Sequence, residues 1–316
     1  MTGHRSAAIV LLLVGLLAAV PFVSDSEESY IIFFLFLTFC HIVLAQSWNL
    51  IAGYTGQVSL GTHAFFALGA YTTAMIWHFD LFNGWNYYFD PFTMILSGLV
   101  AAIFAVAIGM PLLSKLHGDY FALGTLGFGE ILKVAFVKGG SFTGGPLGFI
   151  LPSTPYETMK PHYWTALFLA LAASLIVYFM TRSKLGLALM AIREDEMAAS
   201  SSGINVLKYK TIAFATGACL AGVCGSVYAY YLFQVSPQGF LVLQWTLYPI
   251  LMCVIGGSGT VVGPILGALI MTAVFTATNI YLPSVHPIFS GIIIILVMLF
   301  MPNGLMQLLT HKKGRA

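Results

Sequence analysis

Between Arg182 and Lys210 the chain reads RSKLGLALMAIREDEMAASSSGINVLKYK, the one long charged interval in a sequence otherwise made of apolar runs. It holds five of the 13 Lys and Arg residues and three of the 11 acidic ones. With charge gathered this way, 59% of residues apolar and 8% charged, the chain departs far from soluble domains, which average about 45–50% and about 25%. The apolar runs therefore read as membrane spans. The interval lies between two of them, and the positive-inside rule places it in the cytoplasm. The fold class that follows is all-α and polytopic: a single transmembrane domain over residues 1–316, with a cytoplasmic segment at 182–207 and an outer loop at 138–161.

The core of the interval, Leu185 to Ser202, is rich in Ala, Leu, Met and Glu and meets Gly203 at the position of a helix C-cap, so one short helix is expected there. Leu185, Leu189 and Ile192 recur at helical spacing and would form a narrow apolar stripe. Arg193, Glu194, Asp195 and Glu196 follow as a compact charged cluster in which Arg193 and Glu196 have the spacing of a helical ion pair. This is either a solvated connector between two spans or a docking helix for a soluble partner, which needs a modest apolar face and charges that set register.

Taken in order, the runs predict about ten crossings with both termini cytoplasmic. Ala7 to Val23 reads as an uncleaved first span. The acidic stretch SDSEES, Ser24 to Ser29, and the aromatic and acidic stretch His78 to Pro91 suit the outer face. Two spans are broken by glycine. GYTGQVSLG, Gly53 to Gly61, places Gly53, Gly56, Gln57 and Gly61 near membrane depth, where irregular backbone is tolerated only if it is buried in protein or lines a cavity; a tight cytoplasmic turn is the other reading. GGSGTVVGP begins at Gly256, Gly257 and Gly259 after a run too short to span alone, which suggests a broken span or a short re-entry. Glu130 falls within a span with Lys133 one turn on. They form either a structural ion pair or a functional site. Ala218, Ala221, Gly222 and Gly225 have the small-residue spacing of close helix contact.

Other chemistries find little support. The net charge of +2 is too small to suggest nucleic acid. Cys40, Cys219, Cys224 and Cys253 include no CxxC pair, and the eight histidines form no local ligand cluster, so neither a metal site nor any other cofactor is expected. No GxxxxGK[ST] motif is present, so any ATP would be hydrolysed by another chain. GGSG with His286 on the following helix suggests an intramembrane serine protease. However, Ser258 and His286 would sit at opposite span ends, about 30 Å apart, too far for a nucleophile and its base.

Gly186 to Ile204, GLALMAIREDEMAASSSGI, resembles the coupling segment of the bacterial branched-chain amino-acid ABC transporter permeases, M-type subunit, with Arg193, Glu194, Asp195, Glu196, Ala198, Ala199 and Gly203 carrying the match. GYTGQVSLG followed by HAFFALGAY is similar to the family's first signature, although Thr62 here precedes His63 where the family more often has His or Gln directly after the glycine. TLGFGEI and FTGGPLGF, the latter with Leu147 at a position often Asn, extend the resemblance, which runs from Ser47 to Gly304. It implies a permease subunit of an importer in the bacterial inner membrane, not itself an enzyme. Its implied partners are a second, H-type permease, two cytoplasmic ATPase subunits, a periplasmic substrate-binding protein and membrane lipid. The cargo would be a branched-chain amino acid or, as in close relatives, urea, an amide or another amino acid. A secondary transporter or channel would share the broken spans, the former usually with an ionisable relay.

Overall fold

The computed structural model describes residues 2–23, 30–81, 90–152, 158–281, 291–292, 295 and 304–306. The expected last crossing is largely outside these residues, as are the Ser24 to Ser29 stretch, most of the outer loop before Pro91, His286 and the basic tail.

Helix α1 (Thr2–Val23) precedes α2 (Tyr30–Trp48), which ends in a single π turn, Asn49–Gly53. After the glycine stretch come α3 (Thr62–His78), α4 (Pro91–Lys115) and α5 (Asp119–Lys138). Then α6 (Lys160–Arg182) leads into the connector helices α7 (Lys184–Glu194) and α8 (Glu196–Ser201). The chain continues through α9 (Val206–Leu232), the short α10 (Pro237–Phe240), α11 (Gln244–Gly256) and α12 (Val262–Tyr281). Among the described residues, seven segments are long and apolar enough to cross a bilayer: Tyr30–Gly53, Pro91–Lys115, Asp119–Lys138, Lys160–Arg182, Val206–Leu232, Pro237–Gly256 and Val262–Tyr281. The chain is thus an all-α, multi-pass membrane protein. With 17 residues, α3 reaches about 25 Å, short of the roughly 30 Å hydrocarbon core.

Local chemistry accounts for the helix starts. Asp90 caps α4 by accepting from Thr93 N, with Pro91 in the first turn, and Asn205 caps α9 by accepting from Lys208 N. The connector is not the one helix that its composition suggests. Asp195 is extended, at φ −156° and ψ 111°, and its carboxylate accepts from Ala198 N at 2.9 Å. A side chain that can cap competes with helix continuation, so α7 ends and α8 starts afresh. Gly203, at φ +85°, ends α8 as expected.

Helix α9 is the axis of the bundle and packs along α3 and α4, with α2 on another side. Gly222 and Gly225 lie where a Cβ would collide with neighbouring helices, Gly222 with the Ser97 carbonyl and the Ala101 methyl of α4 and Gly225 with the Phe66 carbonyl of α3, so close approach is written into α9. The hydroxyl of Thr73 on α3 donates to Ser226 on α9 at 2.7 Å and lies 3.1 Å from Ser97 on α4, a buried polar tie among the three helices.

The ends of the bundle differ. At one, the connector lies under the glycine breaks. At the other, the loop between α5 and α6 is shaped by Gly140, Gly144, Gly145 and Gly148, all at positive φ. It is fastened by a two-residue antiparallel ladder in which β1 (Phe149–Ile150) pairs with β2 (Gln234–Val235).

Candidate functional site

The two glycine breaks, about 200 residues apart in sequence, meet in space. Asn49, at the end of α2, accepts from Gly259 N and donates to Thr260 O, each at 2.8 Å. Gln46, one turn earlier, donates to Val261 O at 2.7 Å. The contact is so close that a Cβ on Gly53 would lie 2.6 Å from Gly259 N. Gly259 itself has φ +77° and Gly257 φ +111°, values that L side chains rarely adopt. Gly256 abuts Gly263, so the turn between α11 and α12 is closed on glycine from both sides.

The connector reaches this junction twice. Arg193, the penultimate residue of α7, donates from Nη1 to Gly53 O at 2.5 Å, and its guanidinium occupies the space that a Cβ on Gly259 would need. Glu196, first residue of α8, accepts from the Lys210 ammonium at 2.6 Å, and Lys210 also donates to Gln57 Oε1 at 3.3 Å. Lys210 is only 2% exposed, against 35% for the Glu196 side chain. His117, in the turn between α4 and α5, approaches Glu196 at 3.8 Å. Arg193 and Glu196 therefore do not pair with each other. The break at Asp195 turns them to different partners, Arg193 to Gly53 and Glu196 to Lys210 of α9, which in turn reaches Gln57. Nor does Glu196 lie in open water: it is half of a largely buried ion pair.

The other candidate residues are placed as follows. Ala199 is buried against the bundle, whereas Glu194, Asp195 and Ala198 are exposed. Gly56, at φ +71°, lies beside the Arg193 stem, and Gln57 also donates to Gly118 O at 3.3 Å. Gly61 lies against Thr125 of α5, whose hydroxyl accepts from Leu60 N at 2.9 Å. Glu130 and Lys133 are far from the connector on α5, and no ion pair joins them among the described residues. Glu130 is exposed on the outside of the bundle and Lys133 half-buried, so the structural ion pair, one of the two readings, is not formed here.

Lys210, Asn49 and Thr246 carry contacts that sequence reasoning misses. Thr246 Oγ1 accepts from His63 N and lies 2.9 Å from His63 Nδ1, which fixes the ring against Gly129, where a Cβ would collide with it. The signal for Lys210 is its position after the Asn205 cap, hence inside the next helix. A small cavity beside Trp48, Ser59, Thr62 and Phe214 has a volume of about 10 Å³, room for about one water and far too small for an amino acid.

The described chain is thus a polytopic bundle whose polar connector touches the broken ends of two spans. The chain belongs to the family described as branched-chain amino acid transport system / permease component, which matches residues 30–301. It is similar to the high-affinity branched-chain amino acid transport system permease protein LivM of Escherichia coli, at 29% identity over 304 residues, 86% of this chain and 69% of that one. LivM of Salmonella typhimurium is also 29% identical, over 89% of this chain and 72% of its own length. The LivH permease of Salmonella typhimurium is 29% identical over 202 residues, 63% of this chain and 62% of that one. No solved structure matches the chain.

Proposed function

We propose that the chain is the M-type permease subunit of an ATP-binding-cassette importer for branched-chain amino acids in the bacterial inner membrane. It works with an H-type permease, two cytoplasmic ATPase subunits and a periplasmic binding protein, and it hydrolyses nothing itself. Both termini and the connector face the cytoplasm, and the glycine-rich loop before α6 faces outward to receive the binding protein.

The observation that carries this reading is the Arg193 guanidinium on Gly53 O, wedged against Gly259. A docking helix can drive a gate only if it holds one state of that gate differently from the other. Arg193 meets this condition, because a small displacement of α7 breaks a bond to one glycine break and releases the space beside the other. Glu196, through Lys210 and Gln57, is a second arm to the same region. In this mechanism, closure of the ATPases moves α7 and α8, and Gly53–Gly61 and Gly256–Gly259 exchange one packing for another.

The test uses Glu194, which is exposed and away from the Lys210 pair. Glu194→Lys should insert and assemble normally while uptake and transport-coupled ATP hydrolysis fall at least ten-fold, since like charges across an interface cost several kcal/mol. Uptake that persists in this variant, or in ATP-depleted cells with the proton gradient clamped, would instead identify a secondary transporter or channel.

A further inference from the structure

The outward faces of α4 and α6 present Ile103, Phe104, Leu175 and Phe179 with no charged residue between the helix ends, as a lipid-facing surface should. The outward face of α5 is different. Leu123, Ile131 and Val134 are exposed there, and among them stands Glu130, also exposed, with the half-buried Lys133 one turn on. Glu130 is roughly 16 Å from the start of the helix and roughly 12 Å from its end at 1.5 Å per residue. Lysine has a stem long enough to carry its charge toward an interface, but glutamate does not. Among the described residues no ion pair neutralises it, which leaves the carboxylate open to a partner beyond them.

We infer that this face of α5, centred on Glu130, is the seam against the second permease, and that Glu130 meets a hydrogen-bond donor or cation on that partner. The inference rests on the proposed function and names the surface where its two permeases join. The kind of partner follows from the likeness of this chain to both LivM and LivH permeases. A partner of the same fold pairs about an approximate two-fold axis, which sets a face of one chain against the corresponding face of the other. Gly127 lies on the same side of α5 with nothing within 4 Å of its missing Cβ, leaving room for a partner helix to approach. Lipid alone would offer the carboxylate no hydrogen-bond donor.

The experiment places a photo-crosslinking p-benzoylphenylalanine at Ile131, which is 71% exposed, with Ile103 on α4 and Phe179 on α6 as controls. The chain is expressed with its H-type permease and ATPases, irradiated in membranes and purified. Expected is an adduct to the H-type permease at least ten-fold stronger from position 131 than from either control, and a several-fold loss of co-purified H-type permease in Glu130→Leu but not in Glu130→Gln. An H-type permease that co-purifies without adduct above control from position 131 overturns the seam and leaves the proposed function standing. An adduct between two copies of this chain overturns the choice of partner, and a purified chain with no second permease overturns the proposed function and the seam together.

Discussion

The two ends of the bundle each present a non-helical surface, and they hold it by opposite means. At the connector end, charged side chains on exposed helices reach into the bundle: Arg193 to Gly53 O and Glu196 to Lys210. At the other end, the loop before α6 carries no charged tie among the described residues and is held by a backbone ladder, Phe149↔Val235 and Ile150↔Gln234, by Leu151 N donating to Phe233 O at 2.7 Å, and by the buried side chains of Phe149 and Leu151. Side-chain bonds of this kind can be exchanged without unfolding anything, whereas a backbone ladder built on positive-φ glycines is either formed or lost. The first suits a moving part and the second a fixed platform.

The comparison is most exposed at the buried ion pair, where the largest effect is expected. Glu196→Gln should destabilise the protein more than Lys210→Met, although Glu196 is the more exposed partner. Removing Glu196 strands an ammonium that is 2% exposed and, among the described residues, keeps a hydrogen bond to Gln57 alone, at a cost of about 3 kcal/mol. Removing Lys210 leaves a carboxylate that water can reach, at about 1 kcal/mol. Thermal unfolding in detergent measures both, and the double variant should recover part of the Glu196→Gln loss. Equal losses in the two single variants would show that the pair is held by water, not by the bundle.

At the opposite end, Gly148→Ala combines a φ of +71° with a collision against Val235 O. It should cost about 2 kcal/mol and open the ladder. With the loop facing outward as proposed, limited proteolysis from the outside should then cut the loop before α6 faster while the connector stays protected. Equal protection at both ends would mean that the platform does not depend on the ladder.

How far these features are legible in the sequence depends on whether a residue acts through its own type or through its neighbours. Gly53, Gly56, Gly257 and Gly259 stand out because glycine weakens a helix and is retained within an apolar run where the backbone must turn or approach another closely. The charged interval stands out because charge is costly anywhere else in such a chain. The broken connector is less visible, because EDEMAA is composed of acceptable helix formers and only the spacing from Asp195 to Ala198 marks a cap. That Arg193 and Glu196 point to different partners depends on this break. The burial of Lys210 depends on how α9 packs against Gln57 and α8, which no local pattern contains. Glu130 is recognisable as a charge inside a span, but its orientation away from the bundle follows from the packing of Phe121, Thr125, Gly129 and Leu132 on the other side of α5.

Arg193→Ala tests the connector end with a smaller energetic effect. It deletes a single charged hydrogen bond to a backbone carbonyl, about 1–2 kcal/mol after allowance for exposure, so the fold should survive. The same energy applied to a two-state gate is at least a several-fold change in population. Transport-coupled ATP hydrolysis should change by that factor, and Arg193→Lys should restore little because a lysine cannot place the same planar fork beside Gly259. Full recovery with lysine would reduce Arg193 to a point charge and remove it as the link between the two breaks.

The smallest expected effect on stability, and the sharpest contrast, comes from Ile150→Ser. Ile150 is 77% exposed, and neighbouring Leu147 is 78% exposed, on the loop that the ladder fastens. Exchanging the side chain removes little packing and should move stability by less than about 0.5 kcal/mol. An apolar pair displayed on a rigid platform is, however, the kind of anchor that a soluble partner buries. Binding of the substrate-loaded binding protein to the purified complex, followed by surface plasmon resonance, should therefore weaken several-fold in Ile150→Ser and further with Leu147→Ser. The basal ATPase rate without binding protein should stay unchanged, because nothing at the connector has been altered. If the basal rate falls with binding intact, the two ends are not separable as platform and moving part, and the loop before α6 belongs to the gate.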